Sequence, residues 1–365
     1  MKITGVETIK VSVNHRGNWV FIQVNTDEGI SGIAEASHSG NDDLLAAEIK
    51  KCGKWLKGKD PQQINSLYRQ LLNTSRGRIH QTALGALETA CWDILGKTLG
   101  KPIAALLGGP IIEKLPLYAN INRFVRDRTP RGFADAAAQA EKEGFKALKL
   151  APFDEVSGLS KISSSRTDWR LGIERVKAVR QAVGAEIEVG VDCHRRFDYA
   201  SFLPVLDELD MLDLFWVEEP VPNHHLSDIR KIATRSHKPL AGGERLFSLE
   251  EFEGFLTERR YDVLMPDLKH VGGIRELKNI GEACRLCGLR FSPHNPAGPL
   301  ATAASAQVAA SVPSFWHLEY AWGEVNWRAR LLDPPEEIVD GMLILSDNPG
   351  VGHTLNPEFI ESHRI

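Results

Sequence analysis

Long apolar runs are missing from this chain. No uninterrupted hydrophobic stretch could span a bilayer, and the opening Met1-Lys2-Ile3-Thr4-Gly5-Val6-Glu7 has no extended apolar segment. The expectation is a cytoplasmic protein with no membrane partner. Cysteine is also scarce, at five in 365 residues, and this low, odd count argues against a disulfide framework. Cys284 and Cys287 form a CxxC with no second pair beside it, so a zinc or redox role has little support, and Gly281 to Cys287 reads as helix carrying two thiols. Basic excess is lacking too. Lys and Arg number 44 against 48 Asp and Glu, a formal charge of −4, with no cationic stripe to follow a phosphate backbone. Nucleic acid is therefore not an expected partner. There is no GxGxxG between strand and helix, no GxxxxGK[ST] and no Gly-x-Ser-x-Gly, which removes the common nucleotide loops and the hydrolase elbow.

What is present is ordinary globular composition, 42% hydrophobic and 25% charged, at a length suited to one large domain plus a smaller one. Ile3 to Val13 nearly alternates, Trp19 to Val24 is a second β-branched and aromatic strand, and Ser31 to Ala36 is a third. His15-Arg16-Gly17-Asn18 reads as the loop joining the first two. Helical spacing follows from about Leu44 to Leu99, which makes residues 1–113 an α+β domain.

From Leu115 the pattern becomes short buried strands, each followed in most cases by a charged amphipathic helix. Strands are expected at 115–120, 147–151, 186–191, 214–217, 239–241, 263–266, 289–292 and 315–318. Eight such units favour closure into a barrel over residues 114–322, with an open doubly wound sheet as the rival. A long loop, 152–168, follows the second barrel strand on the face where barrel active sites form. It is either a lid or a serine-rich excursion without a role.

Three carboxylates stand at the ends of three consecutive strands: Asp192, Glu218 and Glu244, spaced 26 and 26 residues apart. On adjacent parallel strands they converge at the C-terminal mouth, where mutual repulsion calls for a cation. Hard oxygen donors suit Mg²⁺ better than zinc. Taken singly, each acid could instead cap the helix after it. Asp267 and His294 end the sixth and seventh strands, close enough in the barrel order for the carboxylate to orient the imidazole as a general base. Read alone, His294 could be structural. Glu319, on the eighth strand, also faces the mouth. Protonated, it could donate to a substrate carboxylate; alternatively it could pair with a nearby arginine.

These residues resemble the enolase superfamily, in particular its mandelate racemase subgroup. The resemblance covers nearly the whole chain through Ala86-Leu87-Glu88-Thr89-Ala90-Cys91-Trp92-Asp93-Ile94-Leu95-Gly96-Lys97, Leu106-Leu107-Gly108-Gly109, Trp216-Val217-Glu218-Glu219-Pro220, Gly243-Glu244-Arg245 and Pro293-His294. It implies an α/β fold, a modified TIM barrel (β/α)₇β with an α+β cap, to which the segment 323–365 returns. It further implies one Mg²⁺ per subunit on Asp192, Glu218 and Glu244, a His294–Asp267 dyad, a small carboxylate substrate and a homo-oligomer, an octamer in many relatives. Muconate-lactonizing relatives carry a lysine base near the Gly-Gly pair. Asp267 ahead of Gly272-Gly273 points away from them.

One departure matters. Racemase-like members carry Lys-x-Lys at the second strand, whereas this chain reads Lys149-Leu150-Ala151, so the outer base is missing. Racemisation needs a base on each face of the carbon; dehydration needs one base and an acid for the leaving hydroxyl. His194, in Asp192-Cys193-His194, resembles the acid of the subgroup's acid-sugar dehydratases, although it could equally be a partner of the ligand set. The expected activity is dehydration of an aldonate or aldarate to a 2-keto-3-deoxy acid. A racemase or epimerase using Lys149, or a silent binding barrel, are the alternatives. His15, Arg16, Asn18 and Trp19 from the first loop, and Arg166 from the long one, are the candidates for substrate contact.

Overall fold

Alternation in the first strand becomes a three-stranded antiparallel sheet, β1 (Ile3–Asn14), β2 (Gly17–Thr26) and β3 (Ser31–Glu35), in the order β1-β2-β3. The computed structural model describes residues 1–37, 40–75, 77–156 and 169–365. The first loop is tighter than the sequence suggests. Asn14 pairs with Gly17, whose φ of 138° a side chain would resist, so His15-Arg16 alone makes the turn and Gly17-Asn18 join β2.

Helices α1 (Asp42–Leu56), α2 (Ile64–Leu72), α3 (Arg78–Leu99) and α4 (Ile103–Leu106) follow. Helix α3 is buried nearly all round because it is shared by the cap sheet and the barrel. Gly85 is what lets it approach: a Cβ there would lie 2.9 Å from the Lys269 carbonyl oxygen. Glu88, one turn further on, accepts the backbone N–H groups of Ile274 and Arg275 at 2.8 and 3.1 Å. A cap helix thus grips the barrel segment directly after Asp267.

The barrel strands are β4 (Lys114–Asn120), β5 (Ala147–Leu150), β6 (Glu188–Asp192), β7 (Trp216–Glu218), β8 (Leu240–Gly242), β9 (Val263–Leu264), β10 (Arg290–Phe291) and β11 (Leu318–Tyr320). They pair in parallel in chain order from β4 to β10, β11 pairs with β4, and a parallel Phe291–Phe315 bridge joins the last gap. Around them lie α5 (Pro130–Lys142), α6 (Arg170–Ala182), α7 (Tyr199–Asp210), α8 (Leu226–Arg235), α9 (Leu249–Glu258), α10 (Leu268–Val271), α11 (Ile274–Cys287) and α12 (Pro299–Ala309). Both cysteines of the CxxC lie on α11. After the barrel come β12 (Leu332–Asp333), β13 (Ile338–Val339), β14 (Met342–Ile344), β15 (Thr354–Leu355) and α13 (Pro357–His363). The final Ile365 N–H donates to the Lys10 carbonyl of β1 at 3.1 Å, which brings the chain end back to the cap. Among the described residues, no helix is long and apolar enough to cross a membrane.

Tyr118, Ala147, Trp216, Ala241, Val263 and Met265 form a buried cluster of barrel-strand residues in which large and small side chains interlock. Gly190 on β6 makes room for the Trp216 indole, since a Cβ would sit 2.9 Å from its Nε1. That N–H donates to Glu218 Oε2 at 3.2 Å, so packing below the mouth sets an acid in it. Gly190→Val is expected to destabilise the fold by about 1–3 kcal/mol through overpacking and to turn Glu218 aside. Denaturant unfolding checks the first effect and metal affinity the second.

Candidate active site

Parallel register puts the acids side by side. Asp192 and Glu218 are Cα partners at the ends of β6 and β7, and Glu244 follows β8 after Gly243, whose φ is 111°. Lys149 on β5, 1% exposed, reaches in beneath them, with Nζ 3.1 Å from Glu218, 3.0 Å from Glu319 and 4.0 Å from Asp192. Glu244 Oε1 accepts from Arg195 Nη1 at 2.6 Å, and Arg195 also pairs with Glu219. The backbone at the strand ends is unusual. His194, Arg195 and Glu219 hold φ of 49°, 58° and 40°, a left-handed conformation that costs about 1–3 kcal/mol each and concentrates at functional sites.

His194 stands beyond the strand, because β6 ends at Asp192 and the left-handed turn swings the ring back. Its Nε2 then sits 2.8 Å from Asp192 Oδ2, while its backbone N–H donates to Oδ1 at 2.8 Å.

Charge is unevenly shared among the acids. Burial, then repulsion from Asp192, pushes Glu218 up to about 8. Burial also works against ionised Asp192 and Glu244, but His194 outweighs it for the first, and His294 with Arg195 for the second, so both fall below the ordinary carboxylate range. A set of three buried acids of which one must keep its proton is one that a divalent cation would complete, and its hard oxygen donors suit Mg²⁺. The side chains are splayed, each toward its own basic partner. Among the described residues, the group whose possible ligand atoms all lie within 4.8 Å is Glu48, Cys52 and His80 in the cap. There, both ring nitrogens of His80 are engaged, with Glu48 at 2.7 Å and the Leu71 carbonyl at 3.0 Å. Burial pushes the Cys52 thiol up to about 12, away from the thiolate a metal needs.

His294 stands where a general base could act. Its Nδ1 lies 2.8 Å from Asp267 Oδ2, which fixes the tautomer, and its Nε2 faces the mouth 3.0 Å from Glu244 and 4.0 Å from Glu319. Of the two readings of Glu319, protonated donor or ion-pair partner, its contacts favour the second. Its Oε1 accepts from Asn120 at 2.7 Å and Lys149 at 3.0 Å, and its Oε2 from the Asn295 N–H at 2.8 Å. Burial opposes its charge, yet Lys149 and His294 outweigh burial and hold it ionised. Its cationic partner is a lysine rather than an arginine.

The family described as "Enolase C-terminal domain-like" matches residues 132–359, and "Mandelate racemase / muconate lactonizing enzyme, N-terminal domain" matches residues 4–108. The chain belongs to the enolase superfamily. Its relatives include a D-xylonate dehydratase of Haloferax volcanii, 31% identical over 100% of this chain and 89% of that protein. A D-galactonate dehydratase of Verminephrobacter eiseniae is 32% identical over 98% and 87% respectively. A crystal structure from Mesorhizobium loti superposes with a TM-score of 0.93 at 30% identity, covering 100% of this chain and 99% of that one.

In this superfamily member the cap loop meets the barrel unevenly. Arg16 donates to the Asn122 carbonyl at 3.0 Å and lines a small cavity with Asn18, Trp19, Arg123 and Lys269. Asn18 is turned to Asp42 of α1 at 2.8 Å, and Trp19, 3% exposed, packs edge-on against Trp327, so both mainly hold the cap together. His15 is exposed on the turn. Arg166, with 157–168 of the long loop, lies outside the described residues. A wide cavity of about 1160 Å³ opens beside the acids, lined by His194, Arg195, Glu244, Arg245 and Phe247.

Arg195 and Lys269 were not singled out from sequence. Lys269 bonds Asp267 Oδ2 at 2.9 Å. The available signals were spacing: Arg195 follows His194, and Lys269 stands two residues after Asp267.

Proposed function

We propose that the chain is a hydro-lyase that dehydrates an aldonate or aldarate to a 2-keto-3-deoxy acid. The observation that carries this reading is an asymmetric pair of histidines. His294 is oriented by Asp267 on one side of the acid set, His194 rests on Asp192 on the other, and Ala151 stands where a second lysine base would be. The relatives named as D-xylonate and D-galactonate dehydratases support it.

Asp192, Glu218 and Glu244 would hold Mg²⁺, which when bound supplies positive charge to the substrate carboxylate as its α-carbon loses a proton. His294, whose pKa burial lowers but Glu244, Glu319 and Asp267 push up to about 10, would turn neutral with Glu244 engaged by the cation, and its Nε2 would then take the C2 proton. Those electrons form the C2–C3 double bond as the C3–O bond breaks, and His194 donates a proton to the departing hydroxyl, which leaves as water. The resulting enol tautomerises, losing its O–H proton and gaining one at C3, to the 2-keto acid; one water is lost, C2 is oxidised as C3 is reduced, and there is no net redox change. Lys149 neutralises Glu218 and Glu319 from below. With those contacts made, its ammonium is held as a charge rather than offered as a second base, which disfavours racemisation.

A panel of aldonates and aldarates, including D-galactonate and D-xylonate, with Mg²⁺ tests the proposal by 2-keto acid formation. At least one polyol acid is expected to lose water. Deuterium exchange at C2 in both stereoisomers without water loss would make the protein an epimerase instead.

A further inference from the structure

Lys269 lies inside the molecule for a reason the reaction scheme above does not use. It is 4% exposed, and burying an ammonium is unfavourable unless an acid meets it. That acid is Asp267. Nζ contacts Oδ2 at 2.9 Å while the Lys269 backbone N–H donates to Oδ1 at 2.9 Å, so one residue grips both oxygens. Oδ2 is the same oxygen that meets His294 Nδ1 at 2.8 Å. The terminal torsion of an aspartate is soft, and without the ammonium only the backbone N–H on Oδ1 and two imidazoles, His294 at 2.8 Å and His270 at 3.8 Å from Oδ2, would hold the carboxylate in the ring plane.

The surroundings hold this grip in turn. Lys269 is carried by the short helix α10, against which the cap packs through Gly85 and through Gln81, whose Nε2 donates to the Val271 carbonyl at 3.3 Å. Glu35, at the end of cap strand β3, feels the Lys269 charge and is itself fixed by the Gly298 and Ala301 N–H groups at 2.8 and 2.9 Å. Lys269 therefore stands between a cap acid and the dyad acid.

We propose that Lys269 is a positioning residue of the proton-abstracting dyad: it fixes the Asp267 carboxylate so that Oδ2 faces His294 Nδ1 and Nε2 is the nitrogen offered to substrate. This rests on the His294–Asp267 dyad of the proposed function. Outer partners of this kind are typically worth about 10–100-fold in activity.

The test compares Lys269→Met, Lys269→Arg, Asp267→Asn and the Asp267→Asn/Lys269→Met double variant in the full-length Mg²⁺-loaded protein. Two readouts are used: deuterium entry at C2 of D-galactonate and D-xylonate, and the downfield His294 Nδ1–H proton resonance, which needs no substrate. Lys269→Met is expected to slow exchange by about 10–100-fold with KM within about threefold, and to shift or broaden the resonance. Lys269→Arg is expected to restore most of the rate, and the double variant to be no slower than Asp267→Asn, because residues acting as a unit are non-additive. Wild-type exchange and an unchanged resonance in Lys269→Met overturn the proposal. So does a multiplicative double variant, or a rise in KM alone, which would make Lys269 a substrate contact through the cavity it shares with Arg16. If Lys269→Met does not fold, Lys269→Gln replaces it and the resonance decides. Failure of the dehydratase reading is separate: wild-type protein would exchange C2 without losing water, or would act on neither probe while its resonance still responds to Lys269.

Discussion

His294→Asn is expected to reduce turnover by about 10²–10⁴-fold while leaving the fold and metal affinity nearly intact. Asparagine keeps a polar group near Asp267 but has no nitrogen lone pair to take a proton. The loss should appear in kcat with KM little changed, because the imidazole acts as proton acceptor only on the way to the transition state. Wash-in of solvent deuterium at C2 should vanish together with 2-keto acid formation, since both begin with the same proton. A variant that still exchanges C2 at the parental rate would move the base elsewhere. Asp267→Asn should fall in the same direction, because an amide can present its N–H to Nδ1 and turn the tautomer over.

Metal removal is the second large effect, and its pH dependence has a definite sign. In the folded chain Glu218 keeps its proton up to about 8, against an ordinary 4.5, with burial and Asp192 as causes. Between those values the folded chain binds more protons than the unfolded one, so stability of the metal-free protein should fall as pH rises through that window. Asp192 and Glu244, whose pKa values are depressed, act in the opposite sense, below the ordinary carboxylate range. Mg²⁺ must displace the Glu218 proton, so its affinity should strengthen by about tenfold per pH unit up to about 8 and then level off, with proton release seen by calorimetry in buffers of different ionisation enthalpy. Chelation should abolish turnover, and Mg²⁺ should restore both activity and stability at alkaline pH. Affinity that does not change with pH would place the ion away from Glu218.

The chemistry of this site was more legible in the sequence than its fine placement. The side-by-side placement of Asp192 and Glu218, with Glu244 next along the sheet, was legible because one strand-helix unit has a nearly fixed length, which repeats a strand-end residue at equal intervals. Strand limits were harder. The expected eighth strand, 315–318, is observed as Leu318–Tyr320, because Phe315 and Trp316 meet β10 through backbone bonds around Phe291, Trp316 also packs on Phe215, and pairing with β4 begins only at Leu318. Buried parallel strands are apolar on both faces, so hydrophobicity marks where they lie but not which residues form the hydrogen bonds. Glu319 consequently falls within its strand, as the Cα partner of Tyr118.

What the sequence withheld were contacts between distant elements and local backbone reversals. Lys269 on Asp267 is a two-residue spacing easily taken for a solvated charge, and His194 turns back onto Asp192 only through a left-handed φ that few non-glycine residues adopt. The state of Glu319 depends on Lys149 and Asn120 arriving from two other strands, so no local motif could show it. Trp19 opens the expected second strand beside the loop, and its ring is committed to the core against Trp327 rather than offered to a substrate.

The most direct measurement is crystallographic, using Mn²⁺ as an anomalous scatterer in place of Mg²⁺. A single strong anomalous peak bounded by carboxylate oxygens of Asp192, Glu218 and Glu244 is the predicted result. A peak at Glu48, Cys52 and His80 instead, or none at the barrel mouth under saturating metal, would contradict it.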